Sequence, residues 1–272
     1  MTDIIILTYG EPEATIKCFE SILEHTDDYR LVWVDNGSPV EARQKIMPYF
    51  LKHRDRISLW SQINLGFVKG INFGLKSLLE DLNTKSKHIV IQNNDTIVSP
   101  NWLKEMIAVL EDDENTMAVG PVSSVDDSVH DWHRIFEEID LLELIYEDVD
   151  FENLDVVERG LYLSNRFSKK KCESLINNLE PKIKMLAFFC TIFKKEIFKE
   201  IGLLDDIYEF GLCDDRDYCT SIYQKGYNCK VALGSYVQHD HQTTFKSTFK
   251  SFQIQDMHQK NIKKFKEKFN LE

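Results

Sequence analysis

Ile89-Val90-Ile91-Gln92-Asn93-Asn94-Asp95-Thr96-Ile97-Val98 is the run on which the reading of the whole chain turns. A branched, apolar segment ends abruptly in amides and a carboxylate, and a second apolar pair and Ser99-Pro100 follow. A continuous apolar run of this kind predicts a strand covered on both faces, as in a parallel sheet. Such a strand delivers Asp95 to the carboxyl end of the sheet, where open α/β sheets bind ligands. An aspartate flanked by oxygen-bearing amides suits a hard divalent ion that holds phosphates. Taken alone, the same residues equally suit an Asx-rich turn capping the next element.

Upstream, Ile4–Leu7, Leu31–Val34 and Ile57–Trp60 predict three further strands. The first stops at Thr8-Tyr9-Gly10-Glu11-Pro12, where Pro12 is placed to open a helix carried by Ile16, Phe19, Ile22 and Leu23. The second ends in Asp35-Asn36-Gly37-Ser38-Pro39, so two successive strands end in polar turn residues that can face one ligand. Gly66, Gly70 and Gly74 stand four apart and share one helix face. Glycine inside a helix costs about 1 kcal/mol relative to alanine, so three of them predict close approach to the sheet or to a ligand. Their spacing is not G-x-G-x-x-G, which argues against a nicotinamide or flavin site.

Downstream, Trp102, Leu103, Met106, Ile107 and Leu110 predict an amphipathic helix, and Met117–Val122 a strand. Alternation of strand and helix through about residue 122 is the signature of an α/β sheet with short connections. From about Ser123 to Pro181 the pattern changes to helices and loops, acidic early (Asp126 to Asp150) and basic late (Lys169–Lys171), read as solvated faces. His130-Asp131-Trp132-His133 within it has no third metal partner nearby and reads as structural or acceptor-facing. Met185–Phe193 returns to a buried strand, and Lys195–Ile201 predicts a short helix ended by Gly202. Asp214 and Asp215 fall in the first turn of a helix carried by Tyr218, Ile222 and Tyr223, where the helix dipole favours carboxylates. Strands through Lys230–Leu233 and Tyr236–His241 follow. The tail from Lys246 carries seven lysines against three acids, with Ile262, Phe265 and Phe269 on one face of a terminal helix. That helix reads as packed on the domain, with a membrane surface or polyanionic acceptor as the other reading of its lysines.

Composition bounds the possibilities. With 272 residues, 43% hydrophobic, the chain can bury one large core or two small ones. Its net charge of −12 argues against a protein that coats nucleic acid. No run approaches the ~20 apolar residues of a transmembrane helix. The start, Met1-Thr2-Asp3, lacks the basic region of a signal peptide, which predicts a cytoplasmic location with peripheral contact at the inner membrane face as an option. Six cysteines without a C-x-x-C pair read as buried free thiols.

Read together, Ile6-Leu7-Thr8-Tyr9, Val34–Ser38, Asn64-Leu65-Gly66-Phe67 through Gly74, Asn93-Asn94-Asp95, Asp214-Asp215 and His239 form a recognisable constellation. The chain resembles the family 2 glycosyltransferases, inverting enzymes with the nucleotide-sugar-binding GT-A fold, in particular rhamnosyltransferase-like members of polysaccharide biosynthesis. The resemblance runs nearly end to end and is weakest over 123–181. It implies an α/β fold with a Rossmann-like mixed, mostly parallel sheet flanked by helices. It further implies a catalytic domain over 1–245, comprising a nucleotide-sugar-binding half (1–122), a helical insertion on the acceptor side (123–181) and an acceptor and catalytic-base half (182–245). A terminal helix over 246–272 completes the chain.

The resemblance also implies roles. Thr8, Tyr9 and Glu11 lie beside base and ribose; Asp35, with Asn36, reads a uracil or thymine ring; Asn64, Gly66 and Gly70 pass close to the nucleotide. Asn93-Asn94-Asp95 stands in place of the family's D-x-D motif, so Asp95 would bind Mn²⁺ or Mg²⁺ bridging the diphosphate. Asn93 replaces the first aspartate and leaves the metal with fewer charged ligands, which makes His239 the partner to look for, with His241 as the alternative. Asp214-Asp215 matches the acidic pair before the acceptor-side helix, with Asp215 as general base. Phe188, where relatives often have glycine, predicts an altered or narrowed acceptor pocket. The implied partners are a UDP- or dTDP-sugar and a glycan, lipid-linked or other hydroxyl acceptor. Two other readings remain: a non-catalytic nucleotide- or glycan-binding module, and a sugar nucleotidyltransferase, for which Thr8–Pro12 lacks the expected cation.

Overall fold

The computed structural model describes residues 1–81, 85–124, 130–168, 185–208, 211–240 and 250–271. Lys169–Lys171, Asp126, Asp127, Cys172 and His241 lie outside the described residues. Eight strands form one sheet in the order β3-β2-β1-β4-β7-β6-β8-β5. Strands β1 (Thr2–Thr8), β2 (Tyr29–Asp35), β3 (Ile57–Ser61) and β4 (His88–Asn93) make the parallel half. β7 (Cys190–Lys194) enters antiparallel between β4 and β6 (Thr116–Val122), and β8 (Asn228–His239) runs parallel to β6. The short β5 (Thr96–Val98) pairs antiparallel with the end of β8.

The two-residue period of the strands sorts the core into two layers. Ile5, Leu7, Val32 and Val34 face a core shared with helices α3 (Phe67–Glu80), α5 (Trp132–Glu138) and α7 (Val156–Phe167). Ile4, Ile6, Leu31 and Trp33 face the opposite core, with α1 (Pro12–His25), α2 (Val40–Lys52) and α4 (Trp102–Glu111). Covering both faces removes the polar side of each strand, which is why β1 and β2 read as unbroken apolar runs. A short α6 (Leu142–Asp148) lies between α5 and α7. The chain continues through a one-turn α8 (Ile197–Glu200), α9 (Asp214–Gln224) and the terminal α10 (Ser251–Lys268), whose Phe265 packs with Tyr208 and Cys213.

Several sequence expectations are refined. The opening run is not one strand: the chain turns at Asn94-Asp95, and Thr96–Val98 pairs elsewhere as β5. The strand expected from Met185 begins only at Cys190, because residues 188 and 189 form a turn. The two strands expected after Lys230 are one continuous strand. The Phe188 ring is buried against Phe193 and Tyr218, at centroid distances of 5.2 and 6.2 Å. Its bulk therefore braces α9 from the core. His130 of the 130–133 cluster is wholly buried and structural. Cys18, Cys190, Cys213, Cys219 and Cys229 are buried free thiols.

The glycine face of α3 has a definite reason. A Cβ at Gly70 would stand 2.6 Å from Leu7 Cδ1 and 3.3 Å from Asn36 Cγ, and one at Gly74 would stand 3.1 Å from Ile5 Cγ2. The helix lies on β1 and β2 at a distance that leaves little room for a side chain, so the sheet dictates these two glycines. Gly66 is not on that face but stands before the helix at φ 82° with open space around it, so its backbone conformation calls for glycine.

Candidate active site

The parallel register aligns the ends of three strands: Thr8 faces Asp35 across β1 and β2, and Leu7 faces Asn93 across β1 and β4. Thr8, Asp35 and Asn93 thus share the carboxyl edge of the sheet. Just beyond β4, Asp95 and His239 meet because β5 pairs Thr96 with His239. His239 Nε2 lies 3.2 Å from Asp95 Oδ1 and 3.3 Å from Asn93 Nδ2. The ring of Phe189 lies flat on His239, 4.7 Å between centroids and 8° between planes. Phe189 also accepts a hydrogen bond through its carbonyl from Asn93 N–H, at 2.7 Å. Asn94 turns away, donating its side-chain amide to Thr15 on α1.

A hard divalent cation fits this donor set. Two ligand atoms on adjacent corners of an octahedron, each about 2.1 Å from the ion, lie about 3.0 Å apart. The Asp95–His239 spacing of 3.2 Å is close to that edge. One carboxylate and one imidazole are a sparse set, and among the described residues no cluster of three or more His, Cys, Asp or Glu side chains forms a closed site. Diphosphate oxygens and water would supply the remaining corners, as is usual where a metal is held jointly by protein and substrate phosphates.

On the β2 side, Asp35 is fully buried and committed to three donors. Its Oδ1 accepts from Ser38 N–H, and its Oδ2 accepts from Ser61 Oγ and pairs with Arg43 at 2.6 Å. Arg43 is half-exposed, so the cation presents part of its fork outward while covering the acid that the resemblance assigns to the base. Asn36 organises the next loop: its Oδ1 accepts from Gln62 Nε2 and Leu65 N–H, and its Nδ2 donates to Asn64 Oδ1 and Gly66 O. Asn64 in turn accepts from Gly66 N–H, at the start of α3. Thr8 accepts from Trp33 Nε1, which fixes the end of β1. Tyr9 and Glu11 are partly exposed beside it, with Glu11 in the left-handed region at the start of α1.

The acidic pair enters from the start of α9. Gly211, Leu212 and Cys213 all have positive φ (92°, 60° and 134°), a run of backbone outliers immediately before Asp214. Such conformations cost about 1–3 kcal/mol each for non-glycine residues and persist only where surrounding structure enforces them. Here α10 enforces them. Asn261 donates to Gly211 O at 2.7 Å, Lys264 to Ile207 O at 2.8 Å, and Lys268 reaches Asp217 Oδ2 and Asp205 Oδ2, both at 2.7 Å. Tyr208 Oη adds a 2.6 Å hydrogen bond to Asp217. Gly211 lies close to Phe67, so the acidic loop abuts the start of α3 that Asn36 and Asn64 organise.

Burial pushes both carboxyls of the pair well above the ordinary carboxylate range; for Asp214 the neighbouring Asp215 charge adds to it. Backbone N–H groups at the helix start pull the other way, but desolvation outweighs them. Asp214 is 5% exposed, whereas Asp215 is partly open and accepts from Arg216 N–H at 2.7 Å. The pair therefore combines a buried acid with a reachable one. Arg43, Phe189 and the α10 contacts carry no local motif: each matters through a partner distant in sequence.

Over residues 3–202 the chain matches the profile of the family described as glycosyl transferase family 2. No curated protein matches it. Among solved structures it is similar to the mannosyltransferase PcManGT from Pyrobaculum calidifontis in complex with GDP-Man and Mn²⁺, at 16% identity and a TM-score of 0.57, over 88% of this chain and 56% of that one. It is also similar to GalNAc-T7 with UDP, GalNAc and Mn²⁺, at 14% identity and a TM-score of 0.60, over 88% of this chain and 43% of that one. The chain thus spans about half the length of either structure. At these identities the likeness concerns the fold, which is that of the GT-A glycosyltransferases. The family profile covers well over half of the sequence, and the protein belongs to glycosyl transferase family 2.

Proposed function

We propose that the protein is a metal-assisted, inverting glycosyltransferase that moves a sugar from a UDP- or dTDP-sugar to an acceptor hydroxyl. The observation that carries this reading is the pairing of Asp95 with His239 at the carboxyl edge of the sheet, with a separately desolvated acidic pair supplied by α9. Asp95 and His239 would hold a divalent cation, and both solved relatives named above contain Mn²⁺. That ion supplies Lewis-acid stabilisation of the charge that develops on the departing diphosphate.

The chain's own groups do the rest. Asp215 accepts the proton of the acceptor hydroxyl as its oxygen bonds to the anomeric carbon and the nucleoside diphosphate leaves. A raised pKa makes it a stronger base once ionised, and partial exposure lets a hydroxyl reach it. Asp214 is buried, with its carboxyl held desolvated beside Asp215. Asn36 holds the 62–66 loop at the nucleotide end, and Arg43 offers hydrogen-bond donors beside the base site.

A panel of UDP-, dTDP- and GDP-sugars with and without Mn²⁺, read by release of the nucleoside diphosphate, tests this. Turnover with a uridine or thymidine donor that vanishes in Asp215→Asn while nucleotide binding persists is the expected result. Nucleotide binding without turnover on any donor would instead make the chain a binding module.

A further inference from the structure

His130 is wholly buried in the insertion, and its contacts lead to the candidate anchor. Its Nδ1 lies 2.7 Å from Pro121 O, and its Nε2 lies 2.9 Å from Ala187 N–H. A carbonyl only accepts and an amide N–H only donates, so the proton sits on Nδ1 and Nε2 is bare. The imidazole is thereby held in one neutral tautomer. The ring fits because residue 120 on β6 is glycine: a Cβ there would stand 2.1 Å from His130 Cε1. The hydrogen bond to Ala187 pins the segment that carries Phe189. The edge of His130 also meets the Phe189 ring, 5.0 Å between centroids at 83°. Phe189 then presents its face to His239 and its carbonyl to Asn93 N–H.

We propose that His130 and Phe189 are positioning residues, a relay from the insertion that sets the ring plane of His239 and so aims its Nε2 at the Asp95 side of the anchor. The proposal rests on the reading of Asp95 and His239 as metal ligands. A ligating imidazole needs its plane fixed, because rotation of the ring swings its nitrogen out of the ligand position. Residues that orient ligands in this way typically contribute about 10–100-fold to metal affinity. Here the device is a stacked face, its ring in turn meeting at right angles a histidine that is locked at both nitrogens.

The test uses the whole chain with Mn²⁺ and UDP as probes, Mn²⁺ affinity being followed by electron paramagnetic resonance. Phe189→Leu and His130→Ala are expected to weaken Mn²⁺ about tenfold or more. His130→Gln, whose amide oxygen can still accept from Ala187 N–H, recovers most of that loss. Without metal, the imidazole NMR spectrum should show His130 protonated on Nδ1, and the His239 ring protons should lose their ring-current shift in Phe189→Leu. Should His130→Ala fail to fold, Phe189→Leu decides alone. Mn²⁺ affinity within twofold of wild type in Phe189→Leu, with binding lost in His239→Ala, overturns the relay and leaves the anchor standing. Unchanged affinity in His239→Ala as well overturns the anchor reading and the relay with it.

Discussion

Replacing Lys268 with methionine keeps the length of the side chain and removes the charge that ties α10 to the acidic loop. Two carboxylates lose a partner. Asp205 is 29% exposed at its side chain, so water replaces most of what it loses, and its share is about 0.5–1 kcal/mol. Asp217 is 3% exposed at its side chain and, among the described residues, keeps the Tyr208 hydroxyl, so its charge stays buried with a weaker partner. Hydrogen bonds to charged groups contribute about 1.5–3 kcal/mol, and removing one partner of a buried pair costs about 3–5 kcal/mol. The surviving Tyr208 bond and the partial exposure of Lys268 place the Asp217 share near the lower figure, about 2 kcal/mol. The sum, about 3 kcal/mol, lowers the midpoint of thermal unfolding by roughly 6–12 °C for a chain of this size. Calorimetry on Lys268→Met, Asp217→Asn and the double variant closes the cycle. The two changes should be strongly non-additive, since each removes the same interaction. The Asp217 charge also helps to push Asp214 upward, so Asp217→Asn should lower the pH at which the Asp214 carboxyl titrates, followed by NMR of its carboxyl carbon. A loss below about 1 kcal/mol, or additivity in the cycle, would refute the assignment of Lys268 as the clamp on the loop.

Three further expectations follow the same logic. Asp95→Ala should weaken Mn²⁺-dependent nucleotide binding about tenfold or more while leaving metal-free binding nearly intact; calorimetric titration with UDP, with and without Mn²⁺, reads both. Because burial holds Asp214 and Asp215 above their unfolded pKa, the protonated pair stabilises the fold at low pH and that stability is lost as pH rises through the folded values. Relative to wild type, Asp214→Asn should therefore gain stability as pH rises from 5 to 9, at up to about 1.4 kcal/mol per unit of pH; an unfolding free-energy difference between the two proteins that is the same at both pH values, from denaturant titrations, would contradict it. Gly70→Ala should destabilise by about 1–2 kcal/mol despite the better helix propensity of alanine, because its Cβ meets Leu7 and Asn36; an increase in thermal midpoint would show that the Leu7 side chain yields at no cost.

How much of this was legible in the sequence depended on whether a feature is local. β1, β2, β4, α3 and the start of α9 were readable because burial on both faces, helical period and turn residues write themselves into short windows. The break at Asn94-Asp95 was not, because Thr96–Val98 leaves β4 only to pair with β8, more than 130 residues away. Shorter but still long-range separations hide Phe189 on His239 and Lys268 on Asp217, about 50 residues apart in each case. Asp35 was legible as a polar strand end, but Arg43, eight residues on, reads in sequence as an ordinary exposed helix residue. Phe188 was legible as a bulky residue but not in its partners: its ring lies in the core against Tyr218.

These long-range partners share a consequence for how the site can work. Asp95 stands on a turn that β8 fixes through Thr96 and His239, while Asp214 and Asp215 stand on a strained loop that α10 fixes through Asn261 and Lys268. β1, β2 and α3 carry neither carboxylate site, whereas β4 of the same parallel half leads into the turn that holds Asp95. The proposed donor anchor and the proposed base therefore depend on separate supports, one in the sheet and one in the terminal helix. Loosening α10 should impair proton transfer while leaving metal and nucleotide binding near normal, and loosening the Phe189–His239 stack should do the reverse. Those two signatures separate damage at the base from damage at the anchor.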